Sequence, residues 1–249
     1  MSDLTDFFEE RLQELDSYVK LLETLDSVTQ SGTPRFHGAD SNITVEQQRI
    51  LYSSVYLQLY NLVEATVTRC VLSITAAAGD SGMQPLRLIE PLRREWVRAM
   101  ARTHEVDMGV DKRLEAALAM FDHLVAGLEA GAFEVKVGGG GNWDDENIEK
   151  VSARLGCHLT ITKPTKTAVK RHRLDELGAL KLVKLRRNQL AHGGISFVSC
   201  SDNVVVGDLR ALVHDVGAYL RETVACFEIF VSSHAFLTAD TTTTVTTSA

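Results

Sequence analysis

Residues 174–194 read LDELGALKLVKLRRNQLAHGG, and the architecture turns on what this stretch does. Its apolar spacing predicts a helix from about Leu174 to His192, closed by Gly193-Gly194. On a wheel at about 100° per residue, Leu177, Leu180, Val183, Leu190 and Ala191 share an arc of about 140°, with Arg187 in its middle. An arginine is almost never fully buried unless paired, because desolvating a guanidinium costs several kcal/mol. Glu64, upstream, is one candidate partner or supporting group for Arg187; an ordinary exposed helical glutamate is the other reading of it.

The neighbours of Arg187 sharpen the question. Asn188 and His192 are four apart and stack on the adjoining face, beside Lys181 and Lys184. Ideal geometry sets Arg187 and His192 about 140° apart, so they share a site only if the last turn loosens or the site crosses an interface. A symmetric dimer would bring two such helix ends together. Upstream lies a basic run: from Lys163 to Arg187, nine Lys/Arg, including Lys170, Arg171 and Arg186, face only Asp175 and Glu176. That segment is +7 in a chain of net charge -7. Such a run is either a phosphate foothold on an acidic protein or a solvated helix face.

Outward from there, helical periodicity dominates. A first helix is expected from about Asp3 to Val28, a break at Ser31-Gly32-Thr33-Pro34 with a loop to Asn42, and a longer helix from about Thr44 to Ala78, ended by Gly79-Asp80-Ser81-Gly82. Together they predict an antiparallel hairpin opening a bundle. Leu86–Ala101 and Lys112–Leu128 read as helices, Gly138 to Gly141 as a flexible break, and Asn142–Leu155 as a short helix with Asp144 and Asp145 in its first turn and Gly156 as its cap. His158–Thr162 alternates as a short strand would; residues 80–160 read as an insertion elaborating the bundle. Ile195–Val198 and Val204–Val206 suggest a small β-hairpin, followed by a last long helix from Gly207-Asp208 through about Phe236. The threonine-rich tail from Thr238 is too polar and featureless to fold. The expectation is an all-α helical bundle, one domain over 1–237, with a helical insertion and a small hairpin.

Composition narrows the classes. The chain has 249 residues, 45% hydrophobic and 24% charged, with 4 prolines, which excludes a disordered or collagen-like protein. Cys70, Cys157, Cys200 and Cys226 are scattered, without CxxC or zinc-finger spacing, and read as free thiols of a reducing compartment. The acidic N-terminus lacks a signal-peptide pattern, and no uncharged apolar run reaches membrane-span length; a cytoplasmic protein without membrane attachment is expected. Gly79-Asp80-Ser81-Gly82 echoes a protease nucleophile loop but ends a helix in a helical chain. The glycine run lacks the Lys-Ser/Thr of a P-loop, and the histidines show no HExxH, so no cofactor and no metal is implied.

The stretch Leu185-Arg186-Arg187-Asn188-Gln189-Leu190-Ala191-His192-Gly193 resembles the Arg-(four to six residues)-His motif of the HEPN superfamily, with the polar residue that commonly follows the arginine, here Asn188. The long hairpin carrying Leu59-Tyr60-Asn61-Leu62-Val63-Glu64, the Gly141-Asn142 step and the elements after the motif extend that resemblance over most of residues 5 to 236. It is similar to the larger prokaryotic HEPN toxin and RiboL-PSP-type branches. The resemblance implies a HEPN-type fold and a metal-independent endoribonuclease acting on RNA as a homodimer, often the toxin of a toxin-antitoxin or antiviral system with a partner protein. It implies Arg187, Asn188 and His192 as the catalytic set. Lys181, Lys184, Arg186, Lys170 and Arg171 are the candidate RNA contacts. Arg186, with five residues between it and His192, also satisfies the motif, and Arg187 is preferred because Asn188 follows it. Where a subset of these toxins carries a modified tyrosine two residues after the histidine, this chain has Gly194, so that control is not carried over. A catalytically silent module binding RNA, nucleotide or protein through the same cleft is the alternative.

Overall fold

The computed structural model describes residues 3–32, 34, 42–105, 107–137 and 142–239. Among them the regular structure is helical, with one isolated bridge between Leu88 and Leu237 and no sheet. The loop expected before Asn42 lies largely outside the described residues, as do the glycine break at 138–141 and the tail from 240 onward.

Helices α1 (Asp3–Ser31) and α2 (Val45–Asp80) form the expected hairpin. Thr44 starts α2 with a capping box: its hydroxyl accepts from the Gln47 amide and the Gln47 side chain accepts from the Thr44 amide. Helix α2 is the axis of the bundle. α1 packs on it through Phe8, Leu15, Val19 and Leu22, and α9 (Val206–Ser232) through Leu209, Val216, Leu220 and Phe227, all buried. By length and composition α2 could cross a membrane. Here it is a core helix, its apolar positions Leu59, Val63, Val67 and Ile74 covered by its neighbours.

Residues 80–160 carry α3 (Glu90–Met100), α4 (Val110–Val125) and α5 (Asp145–Arg154). α3 is anchored by Trp96, whose indole N–H donates to the Ala130 carbonyl at 2.9 Å. It is also tied by Glu95, only 2% exposed, whose carboxylate takes paired bonds from Arg154 of α5 and another from Arg98. The start of this segment is pinned to the end of the bundle, since the Ile89 amide donates to the Phe236 carbonyl and Thr238 donates to the Arg87 carbonyl.

The helix expected over Leu86–Ala101 is a 3-10 turn at Pro85–Arg87 followed by α3 from Glu90, and three further local expectations fail for tertiary reasons. The hairpin after the motif is not formed: Phe197–Cys200 is a single helical turn, α8, started by the Ser196 hydroxyl accepting from Ser199. Ser53 of α2 donates to the Phe197 carbonyl and Cys200 is buried, so this apolar run docks on α2 and does not pair with itself. Residues 158–162 form no strand; the Thr162 amide is satisfied by Glu222 and the Thr160 amide by Cys226 Sγ, both on α9. Directly after them the basic run begins as helix α6 (Lys163–Lys170), with Pro164 in its first turn. Finally, the helix expected over 174–192 is divided. A 3-10 turn at Leu174–Glu176, with Asp175 and Glu176 both near φ 55°, precedes α7 (Ala179–Ala191). Gly178 stands between them because a Cβ there would lie 2.7 Å from the Val169 carbonyl of α6.

Candidate active site

Arg187 is held from three sides. Its guanidinium lies over the Tyr60 ring, 3.8 Å from the centroid; Nη1 donates to the Asn188 side-chain oxygen at 2.8 Å, and Nη2 stands 3.4 Å from the Glu64 carboxylate. Tyr60 and Glu64 are one helical turn apart on α2, so a single face supplies both the aromatic platform and the counter-charge. The side chain is 20% exposed, buried enough to be positioned and open enough to meet a ligand. Burial pushes the Tyr60 phenol up, outweighing the opposing pull of the Trp143 amide and the Arg187 charge, so the platform stays neutral.

His192 ends α7. Its amide still donates to the Asn188 carbonyl, Gly193 takes φ 70°, and the Gly193 and Gly194 amides return to the Leu190 and Gln189 carbonyls. This paired closure is a Schellman cap, and the left-handed φ is why glycine follows the histidine. The imidazole is exposed and makes no side-chain hydrogen bond among the described residues. Arg187, Asn188 and Glu64 are therefore together, while His192 stands at the adjacent helix end, free for a ligand.

Arg186 goes elsewhere. It pairs with Asp175 at 2.8 Å, donates to Gln189 and sits near Tyr56 and Cys200, with its Nε buried and unpartnered. The structure thus separates two arginines that the motif spacing alone leaves equivalent. Lys181 and Lys184 are also engaged, for they bind the acidic first turn of α5: Lys181 bonds Glu146 at 2.6 Å, and Lys184 bonds Asp144, which also caps α5 through the Asn147 amide. The Lys181 hydrogen bond and charge hold the Glu146 carboxyl below its ordinary range. Lys170 and Arg171, at the end of α6, are exposed, and with Lys163 and Lys166 line a shallow cavity of about 590 Å³.

Tyr60 and Trp143 carry no site role in the sequence pattern, and Asp144 shows there only as a first-turn residue of a short helix. The Tyr60–Glu64 spacing was the available signal, but that Tyr60 carries Arg187 depends on how α7 crosses α2. Among the described residues no group of three or more His, Cys, Asp or Glu is placed to hold a metal ion.

Among curated proteins and among solved structures, nothing matches the chain. A family model does: the one described as HEPN_MAE_28990-like HEPN matches residues 1–236. That span contains the α1–α2 hairpin, α3 to α8 and the closing helix α9, and with the all-helical architecture it places the chain in the HEPN_MAE_28990-like HEPN family.

Proposed function

We propose that this protein is a metal-independent endoribonuclease of HEPN type, acting through Arg187, Asn188 and His192 at a site shared by two copies of the chain. The observation that carries the reading is a guanidinium pre-positioned by Tyr60, Glu64 and Asn188 within two turns of an exposed, unengaged histidine. Imidazole exchanges protons near neutrality. His192 accepts the proton of an RNA 2′-hydroxyl, or gives one to the departing 5′-oxygen. The 2′-oxygen bonds to phosphorus as the phosphorus–5′-oxygen bond breaks, leaving a 2′,3′-cyclic phosphate and a 5′-hydroxyl. Arg187 binds the phosphate and offsets the charge growing on its oxygens, while Asn188 orients that guanidinium.

Two copies are needed because Arg187 packs inward on α2 while His192 projects from the helix end; an isologous contact supplies each phosphate with both groups. Lys170 and Arg171 carry the flanking RNA backbone. Lys181, Lys184 and Arg186, being bound to acids, hold α5 and the 174–176 turn in place instead. A cytoplasmic setting accords with the free, mostly buried cysteines, and a toxin-antitoxin or antiviral role with the family resemblance.

The test incubates the purified protein with mixed cellular RNA and a metal chelator and maps the fragment ends. Cyclic phosphate and 5′-hydroxyl ends are expected. RNA bound tightly but left intact would replace the nuclease with a silent RNA-binding module.

A further inference from the structure

Helix α4 buries none of its residues. Its half-buried side chains, Ala116, Met120 and His123, face α3, with the His123 ring 5.2 Å from that of Trp96. Two residues on from Ala116 and from His123, about 200° around the helix, stand Leu118 and Val125, pointing away from the body of the protein. Val110, Leu114, Leu118, Phe121 and Val125 make an outward stripe, from 53% exposed at Leu118 to 82% at Val110. From Leu114 the steps are four, three and four, the spacing at which one helix receives the side chains of another. Three residues before Leu114, Leu118 and Val125 come Asp111, Glu115 and Asp122, all exposed, an acidic rail about 60° to one side of the stripe.

We infer that α4 is a docking helix for an amphipathic helix of a partner protein that carries Lys or Arg along one flank of its apolar face. Charge selects this occupant. Two copies of α4 packed antiparallel would set the Glu115 end of one rail against the Asp122 end of the other, and packed parallel would set the acids against the flank of Ala117 and Leu124, where the one cation, Arg113, is already engaged within the protein. An anionic membrane surface attracts helices with basic polar faces, and this flank is acidic. The protein's own residues 240–249 contain no Lys or Arg. A basic-flanked helix satisfies both the stripe and the rail. This interface is independent of the RNA-cleavage reading.

Two labelled synthetic helices of about three heptads, with identical leucine stripes and either Lys/Arg or Glu flanks, test the inference by fluorescence anisotropy against the full-length protein. The basic helix is expected to bind about tenfold more tightly than the acidic one, with the difference shrinking as salt rises. Glu115→Lys with Asp122→Lys should reverse the preference. Leu118→Glu with Phe121→Glu should abolish binding of both peptides while leaving circular dichroism and the thermal midpoint unchanged. Equal binding of both peptides overturns the inference, as does binding of neither. Self-association of the protein that Leu118→Glu removes would assign the stripe to a second copy, and α4-dependent binding to anionic vesicles would assign it to a membrane; either result also overturns it.

Discussion

The last two turns of α7 draw an arginine toward the core, whereas α4 turns its leucines toward solvent. Both depart from the usual partition of polar and apolar side chains, but the departures are supported differently. On α7 each inward cation has its partners: Tyr60, Glu64 and Asn188 for Arg187, and Asp175 and Gln189 for Arg186. On α4 the outward side chains are more than half exposed among the described residues, and the helix packs against α3 by its opposite face. A buried charge with specific partners defines a site inside the fold, and an apolar stripe without them defines a surface whose complement lies outside it.

The contrast is most exposed to failure in the apolar positions. Leu59→Ala, in the centre of α2, should cost about 2–5 kcal/mol in urea unfolding, because the side chain is fully buried and its loss leaves a cavity in the core. Leu118→Ala should stay within about 0.5 kcal/mol, because more than half of it faces solvent. A comparable loss at both positions would mean that α4 is part of the core and the contrast is void.

A smaller effect separates the cations. In a His192→Ala background that prevents cleavage, Lys166→Gln with Lys170→Gln should flatten the salt dependence of single-stranded RNA binding, by about 0.7 in the log–log slope for each phosphate that is no longer neutralised. Lys181→Gln should leave that slope where it was, since Lys181 is engaged by Glu146. If Lys181 governs the slope instead, its ion pair with α5 opens for RNA and the α6 surface is only a solvated face.

The smallest expected effect concerns the contact between α6 and α9. Burial raises the Glu222 carboxyl, but hydrogen bonds from Thr165 and Thr162 outweigh it and hold the group below its ordinary range. A depressed folded-state value stabilises the protein above about pH 4.5 and is lost as pH falls through that lowered value. Glu222→Gln should therefore lower stability modestly at neutral pH and converge with the wild type in acid, as followed by chemical unfolding across pH. A constant gap at all pH values would assign the loss to packing.

How legible each part was in the sequence follows from the reach of the forces involved. The helices α1, α2 and α9 were readable because periodicity over more than 25 residues fixes a buried face without reference to anything else. Phe197–Cys200 was not, because a four-residue apolar run suits a strand or a helical turn equally, and the Ser53 hydrogen bond from α2 decided. Within the site, an arginine in an apolar stripe showed that a partner was required, and Glu64 could be named as one possibility. Tyr60 could not be singled out, nor could the capture of Lys181 and Lys184 by α5, since both depend on crossings between distant helices.

The most direct test of the central claim is the initial rate of RNA cleavage, in chelator, by Arg187→Ala, Arg186→Ala and His192→Ala, each shown to be folded. His192→Ala is expected to be inactive, Arg187→Ala to lose about 10²–10³-fold, the scale of losing a transition-state charge partner, and Arg186→Ala to keep its rate at some cost in stability. Unchanged cleavage by His192→Ala, or loss at Arg186 with retention at Arg187, would contradict that claim.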